Sequence, residues 1–159
     1  MLAQVCEYIH NYFLKKENGR VVYYHQQFAI EGGMISLPFL KEGQRFLLSG
    51  SDLNDGIYTY HADGITNDDD NAPANLADEA FTGEICPMAV RPDFLLLVQS
   101  ISDWMTANEK ALTTPFASES FNGYSYTLKG SLSGETAAND PPWASQFAAQ
   151  LSPWRKMAR

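Results

Sequence analysis

Gly43-Gln-Arg-Phe-Leu-Leu-Ser-Gly-Ser51, closely followed by Asn54-Asp-Gly-Ile-Tyr-Thr-Tyr60, occupies the middle of the chain. The runs Arg45 to Leu48 and Ile57 to Tyr60 are rich in apolar, aromatic and β-branched side chains. Asn54-Asp55-Gly56 between them supplies residues that tolerate positive φ, so the pattern predicts two antiparallel strands joined by a turn. The same turn chemistry accounts for the carboxylate of Asp55 better than a functional role does. Further strand-like runs flank the pair at Val21 to Phe28, Met34 to Leu37 and Phe81 to Met88, with breaks at Gly32-Gly33 and Glu42-Gly43. Together they predict a small antiparallel sheet. Asp63 to Asp78 interrupts it with a polar, Pro-containing stretch too poor in apolar residues to pack, which reads as a mobile loop.

Helical periodicity brackets the strands. Leu2, Val5, Ile9, Tyr12 and Phe13 make one apolar stripe over Leu2 to Lys16, and Asn18-Gly19 supplies the stop. Arg91-Pro92-Asp93 starts a second helix, whose apolar band Phe94, Leu95, Leu97, Val98, Ile101, Trp104 and Met105 is broad enough to predict the most buried element, with the first helix packed on it. Gly130 to Asp140 reads as a loop, after which Pro141-Pro142 leads into Trp143, Phe147 and Leu151 at helical spacing, and Ser152-Pro153 ends that helix. The expected fold class is therefore α+β: N-terminal, long central and short C-terminal helices with a small inserted antiparallel β-sheet. The expected organisation is a single domain over 1–159, with an inserted β-module at 20–90, a flexible loop at 127–142 and a basic C-terminal tip at 152–159.

With 159 residues, 45% of them hydrophobic, the chain is long enough for one sizeable core. Twenty aromatics against only 19% charged residues suit a subunit that hides surface in an assembly. A net charge of -8 lacks the basic stripe that replaces counterions on phosphate, which argues against a general nucleic-acid binder. The charge is unevenly spread: no Lys or Arg lies between Arg45 and Arg91, an interval holding Asp52, Asp55, Asp63, Asp68, Asp69, Asp70, Asp78, Glu79 and Glu84, whereas Arg155, Lys156 and Arg159 close the chain. Cys6 and Cys86 match no metal-ligand spacing and read as buried, reduced thiols. No apolar run approaches the ~20 residues that span a bilayer.

Markers of common chemistry are missing. The chain has no GxSxG elbow, phosphate-cradling GxxxxGK[ST] loop, HExxH helix or GxGxxG fingerprint. His10, His25 and His61 sit singly among aromatic or apolar neighbours and read as packed or surface side chains. Asn67-Asp-Asp-Asp-Asn71 with Asp78 imitates a calcium loop, but Ala72 stands where the turn needs Gly, Pro73 follows, and the closing carboxylate is Asp instead of a bidentate Glu. No enzyme activity, metal or cofactor is expected.

Two C-terminal stretches carry more. Phe116-Ala-Ser-Glu-Ser-Phe-Asn-Gly-Tyr-Ser-Tyr126 alternates side chains about an Asn122-Gly123 turn signal, and Leu151-Ser-Pro-Trp-Arg-Lys156 places an aromatic-cationic tip beyond a short amphipathic helix. The pair resembles the C-terminal region of head-tail connector (head-completion, adaptor) proteins of tailed phages and prophages. The resemblance implies a structural virion-assembly protein, made in the bacterial host cytoplasm and located in the virion. It would form a homo-oligomeric ring with the portal and other head-tail joining or tail proteins, with DNA passing through the channel without sequence-specific binding and with no membrane involved. Glu119, Phe121, Tyr124, Tyr126, Trp154, Arg155 and Lys156 are then the expected assembly interface. The strand-rich stretch at 20–90 is longer than compact helical members need, which implies a β-containing subgroup whose module makes contacts of its own. The alternative is a small aromatic-rich β-module that binds peptide or carbohydrate through Tyr23, Tyr24, Tyr58 and Tyr60.

Overall fold

A computed structural model describes residues 1–68, 72–109, 118–121, 124–127 and 140–156. The chain divides into two compact units, Met1–Leu95 with Trp154–Arg159, and Leu96–Pro153.

The first unit is built on strands. After α1 (Leu2–Tyr8) come β1 (Lys16–Glu17), β2 (Arg20–Val21), β3 (Tyr24–Glu31), β4 (Met34–Ile35), β5 (Arg45–Ser49), β6 (Gly56–His61), β7 (Gly64–Asn67) and β8 (Glu79–Pro87). β1 and β2 pair with each other, and the other six form one antiparallel sheet in the order β4-β3-β8-β5-β6-β7. Its edge strands β4 and β7 approach one another, so the sheet curls into a nearly closed barrel. Alternation fills it: Phe28 and Ile30 of β3, Phe46 and Leu48 of β5, Ile65 of β7, and Phe81 and Ile85 of β8 form one buried cluster with Leu37, Leu40 and Leu76. Phe28 faces Phe81 across the β3–β8 ladder with ring centroids 5.6 Å apart.

This architecture corrects the expected fold class. The sheet is the body of the unit, not a small insert between helices, because β8 pairs with both β3 and β5 and so joins the two hairpins into one wall. The first helix ends at Tyr8 instead of running to Lys16, and it lies on β6. β7 falls inside the stretch expected to be a loop, and Leu76 from that stretch is buried.

The second unit takes most of α2 (Pro92–Ala107), a hairpin of β9 (Ser118–Phe121) with β10 (Tyr124–Thr127), and α3 (Ala144–Leu151). α2 buries a narrow stripe of Phe94, Val98 and Ile101 while Leu96 is 70% exposed, so it is not the most buried element. α3 buries Phe147 and Leu151, and Trp143 just before it is 1% exposed, which makes that ring core. Trp104 meets Phe147 edge to face at 6.3 Å. Among the described residues, no helix is long and apolar enough to cross a membrane.

Candidate functional site

The densest polar cluster lies at the start of β8. Glu79 takes the Ser51 hydroxyl at 2.5 Å, the Asp52 N–H at 2.9 Å and the Asn54 side-chain amide at 3.0 Å. Asn54 also accepts from Ala77 N–H and donates to its carbonyl, Tyr58 Oη donates to Asn54 O, and Asp55 accepts from Ser51 N–H. These bonds, Ser51's hydroxyl first, hold the Glu79 carboxyl below its ordinary range. Together the bonds engage Ser51, Asn54 and Glu79 in fastening the loop after β5 to β8, and its tip carries Asp52, Leu53 and Asp55 at the surface.

A second feature is a pocket of about 580 Å³ beside the barrel seam, formed by Glu31, Met34, Leu37, Tyr60, His61 and Gly64 among others. At its margin His61 Nδ1 lies 2.6 Å from Glu42, which also accepts from Ala62 N–H, and the imidazole contact lowers that carboxyl's pKa.

The sequence-derived interface residues fall in two places. Trp154, Arg155 and Lys156 are not a free tip. The Trp154 ring lies 5.8 Å from Phe13 and 5.1 Å from Phe94, with the Arg91 guanidinium 5.3 Å over its face. Asn11 Nδ2 donates to the Trp154 carbonyl, Arg155 stacks over Tyr8 at 5.0 Å, and Lys156 N–H donates to Ile9 O. The segment straps the C-terminus to the end of α1. Glu119 and Phe121 lie on β9, Tyr124 and Tyr126 on β10, in the register Phe121 opposite Tyr124 and Glu119 opposite Tyr126. Asn122 and Gly123, and most of 127–142, are outside the described residues.

Other candidates resolve into structure. Asp68 is bound by Arg45 and by Thr59, and Asp78 accepts from Gly33 N–H, while Asp69, Asp70 and Asn71 lie outside the described residues. Among the described residues no group of His, Cys, Asp and Glu is placed to hold a metal ion. Burial, with a contribution from Asp68, pushes the Cys6 thiol up to about 12, so it is protonated and inert near neutrality. Tyr24 stacks on Phe39 at 3.8 Å, and Tyr58 and Tyr60 pack against the barrel core. Of the four tyrosines proposed for ligand binding, Tyr23 alone is largely exposed. The Glu79 loop escaped sequence reasoning because its organising carboxylate is 28 residues away from Ser51.

No family model, curated protein or solved structure matches the chain.

Proposed function

We propose that the chain is a structural subunit of a tailed-phage or prophage particle, a head-tail connector that joins the portal to the tail. The observation that carries the reading is the segment of resemblance itself: Ser118–Phe121 and Tyr124–Thr127 form a hairpin whose strands pair with no third strand among the described residues. A two-stranded hairpin is marginal alone in water and leaves two edges open to strand addition by a neighbour. In this reading Glu119, Phe121, Tyr124 and Tyr126 meet the portal or an adjacent subunit. Arg155 and Lys156 add a basic margin beside the strap that Trp154 anchors. An acidic surface of the kind the net charge of -8 provides would let DNA slide through the channel without sticking. No reaction is required. The peptide- or carbohydrate-binding alternative needs an open aromatic face, and three of its four tyrosines pack against other side chains instead.

The test is co-sedimentation of the purified chain with the portal ring encoded by the same genome, followed by imaging of the complex. A ring of this protein seated on the portal supports the reading. No binding, together with neighbouring genes for metabolism instead of portal, capsid and tail proteins, would sink it.

A further inference from the structure

Two surfaces of the first unit match each other in shape of chemistry and oppose each other in charge. The first is the tip of the loop after β5, where Leu53 is 65% exposed between the exposed carboxylates Asp52 and Asp55. An exposed leucine alone needs no explanation. This one sits on a loop immobilised by the buried Ser51 and Asn54 and their bonds to Glu79, so it is presented in one conformation at little entropic cost to a partner. From Phe46 to Val90 the sequence holds no Lys or Arg.

The second surface surrounds the β1–β2 hairpin. Val21 and Tyr23 are exposed there at 38% and 58%, and Lys16, paired with Val21 across the ladder and so on the same face, is exposed beside them. Lys15 is bound to Glu17 at 2.8 Å, and the Glu17 carboxyl is held low first by Lys15 and then also by Lys41. Arg20 stands opposite Glu17 on the reverse side of the hairpin, so that carboxylate is engaged away from Val21, and Lys16 gives the Val21 face its positive charge.

Position makes the pair productive. The loop is fastened to Glu79, the first residue of β8, whereas the hairpin hangs from its last, through Lys15 N–H on the Pro87 carbonyl. Nine residues of strand separate the two by roughly 26 Å at about 3.3 Å per residue. One copy cannot satisfy its own surfaces, but a second copy placed end to end can. We propose that the Asp52-Leu53-Asp55 tip of one copy docks on the Val21/Tyr23 face of the next, beside Lys16. Such a head-to-tail contact leaves one free surface of each kind and propagates until it closes into a ring. The inference names the surfaces of the ring proposed above and rests on that reading for closure, while the contact itself is a property of the isolated chain.

Sedimentation equilibrium of the isolated chain up to roughly 1 mM tests it. Wild type self-associates, and Leu53→Asp, or Lys16→Glu, weakens association about tenfold or more. Asp52→Lys alone associates poorly, yet mixed with the Lys16→Glu chain it associates more tightly than either variant alone, because both junctions then pair opposite charges. Melting curves unchanged from wild type show that the variants fold, and Leu53→Ser replaces Leu53→Asp if the latter does not. A wild type monomeric throughout the range, variants that associate like wild type, or a mixture no tighter than its components overturns the inference. So does retention of wild type on duplex DNA that Lys16→Glu abolishes, since the face would then serve phosphate. Failure of wild type to bind the portal ring bears on the connector reading alone.

Discussion

Gly83 marks the tightest point of the barrel. A Cβ there would overlap the Ser49 carbonyl oxygen and the Phe81 ring, and Gly50, at φ +92°, passes with its own ideal Cβ position 2.9 Å from Gly83 Cα. Two backbones cross at a distance only paired glycines permit. Backbone cannot yield as a flexible side chain does, so Gly83→Ala should cost about 1–3 kcal/mol in urea unfolding. A loss under a few tenths of a kcal/mol would mean that β5 and β8 can part freely there. Glu79 gives a second residue-scale expectation. Its pKa is lower folded than unfolded, so its contribution is present above the ordinary glutamate range and is lost as pH falls through the folded pKa. Glu79→Gln should therefore flatten the acid limb of the stability curve below about pH 4.5. An acid limb with the same slope in both proteins would contradict the hydrogen-bonded carboxylate.

At the scale of elements, the chain after α1 shows how a long-range capture overrides local periodicity. Tyr12 and Phe13 continue the apolar stripe of the first helix, yet the backbone enters the left-handed region at His10 and again at Phe13, with φ 54° and 51°. For a phenylalanine that conformation is costly. Asn11 stabilises the detour by accepting from Phe13 N–H and donating to Trp154 O, while Phe13 O takes Ala89 N–H. Trp154 and Ala89 are far from this stretch in sequence, so spacing alone could not reveal the early stop. The strap also revises the expected role of the tip, because Trp154 packs on Phe13 and Phe94. Trp154→Ala should cost about 2 kcal/mol, below the 3–5 of a fully buried Trp, read as a lowered urea midpoint. A midpoint equal to wild type would return Trp154 to a purely external role. β7 was hidden for a different reason: Ile65 is the only apolar residue of Gly64–Asn67, although Asp63-Gly64 is a turn signal that could have marked the hairpin with β6. Calcium should leave the melting temperature of the chain unchanged at micromolar concentrations, since Asp68 is already neutralised by Arg45. A rise of several degrees would show that the metal displaces that ion pair.

At the scale of the whole molecule, the strand segments other than β1 and β7 and the short C-terminal helix were readable from local patterns, while the near-closure that curls the strands into a barrel was not. It depends on β8 lying between β3 and β5, two ladders of long sequence separation that no turn announces. The candidate surfaces were half readable. The acidic run from Phe46 to Val90 is visible in the chain, where it contrasts with the basic Arg155, Lys156 and Arg159, but the placing of its Asp52-Leu53-Asp55 tip at the opposite end of β8 from the β1–β2 hairpin is a consequence of the fold. This geometry sets a particular ionic-strength response. Copies carrying -8 repel over the distance between their centres, whereas the docked carboxylates and ammonium groups lie within a few ångströms. The Debye length is about 30 Å at 0.01 M, about 8 Å at 0.15 M and about 3 Å at 1 M. Raising salt from the lowest value therefore removes the long-range repulsion first and spares the close pairs, and raising it further weakens the pairs. Self-association should pass through a maximum near physiological ionic strength. A steady fall with salt would show that the net charge is irrelevant to docking, and a steady rise to 1 M would show an apolar contact to which Asp52 and Lys16 contribute nothing.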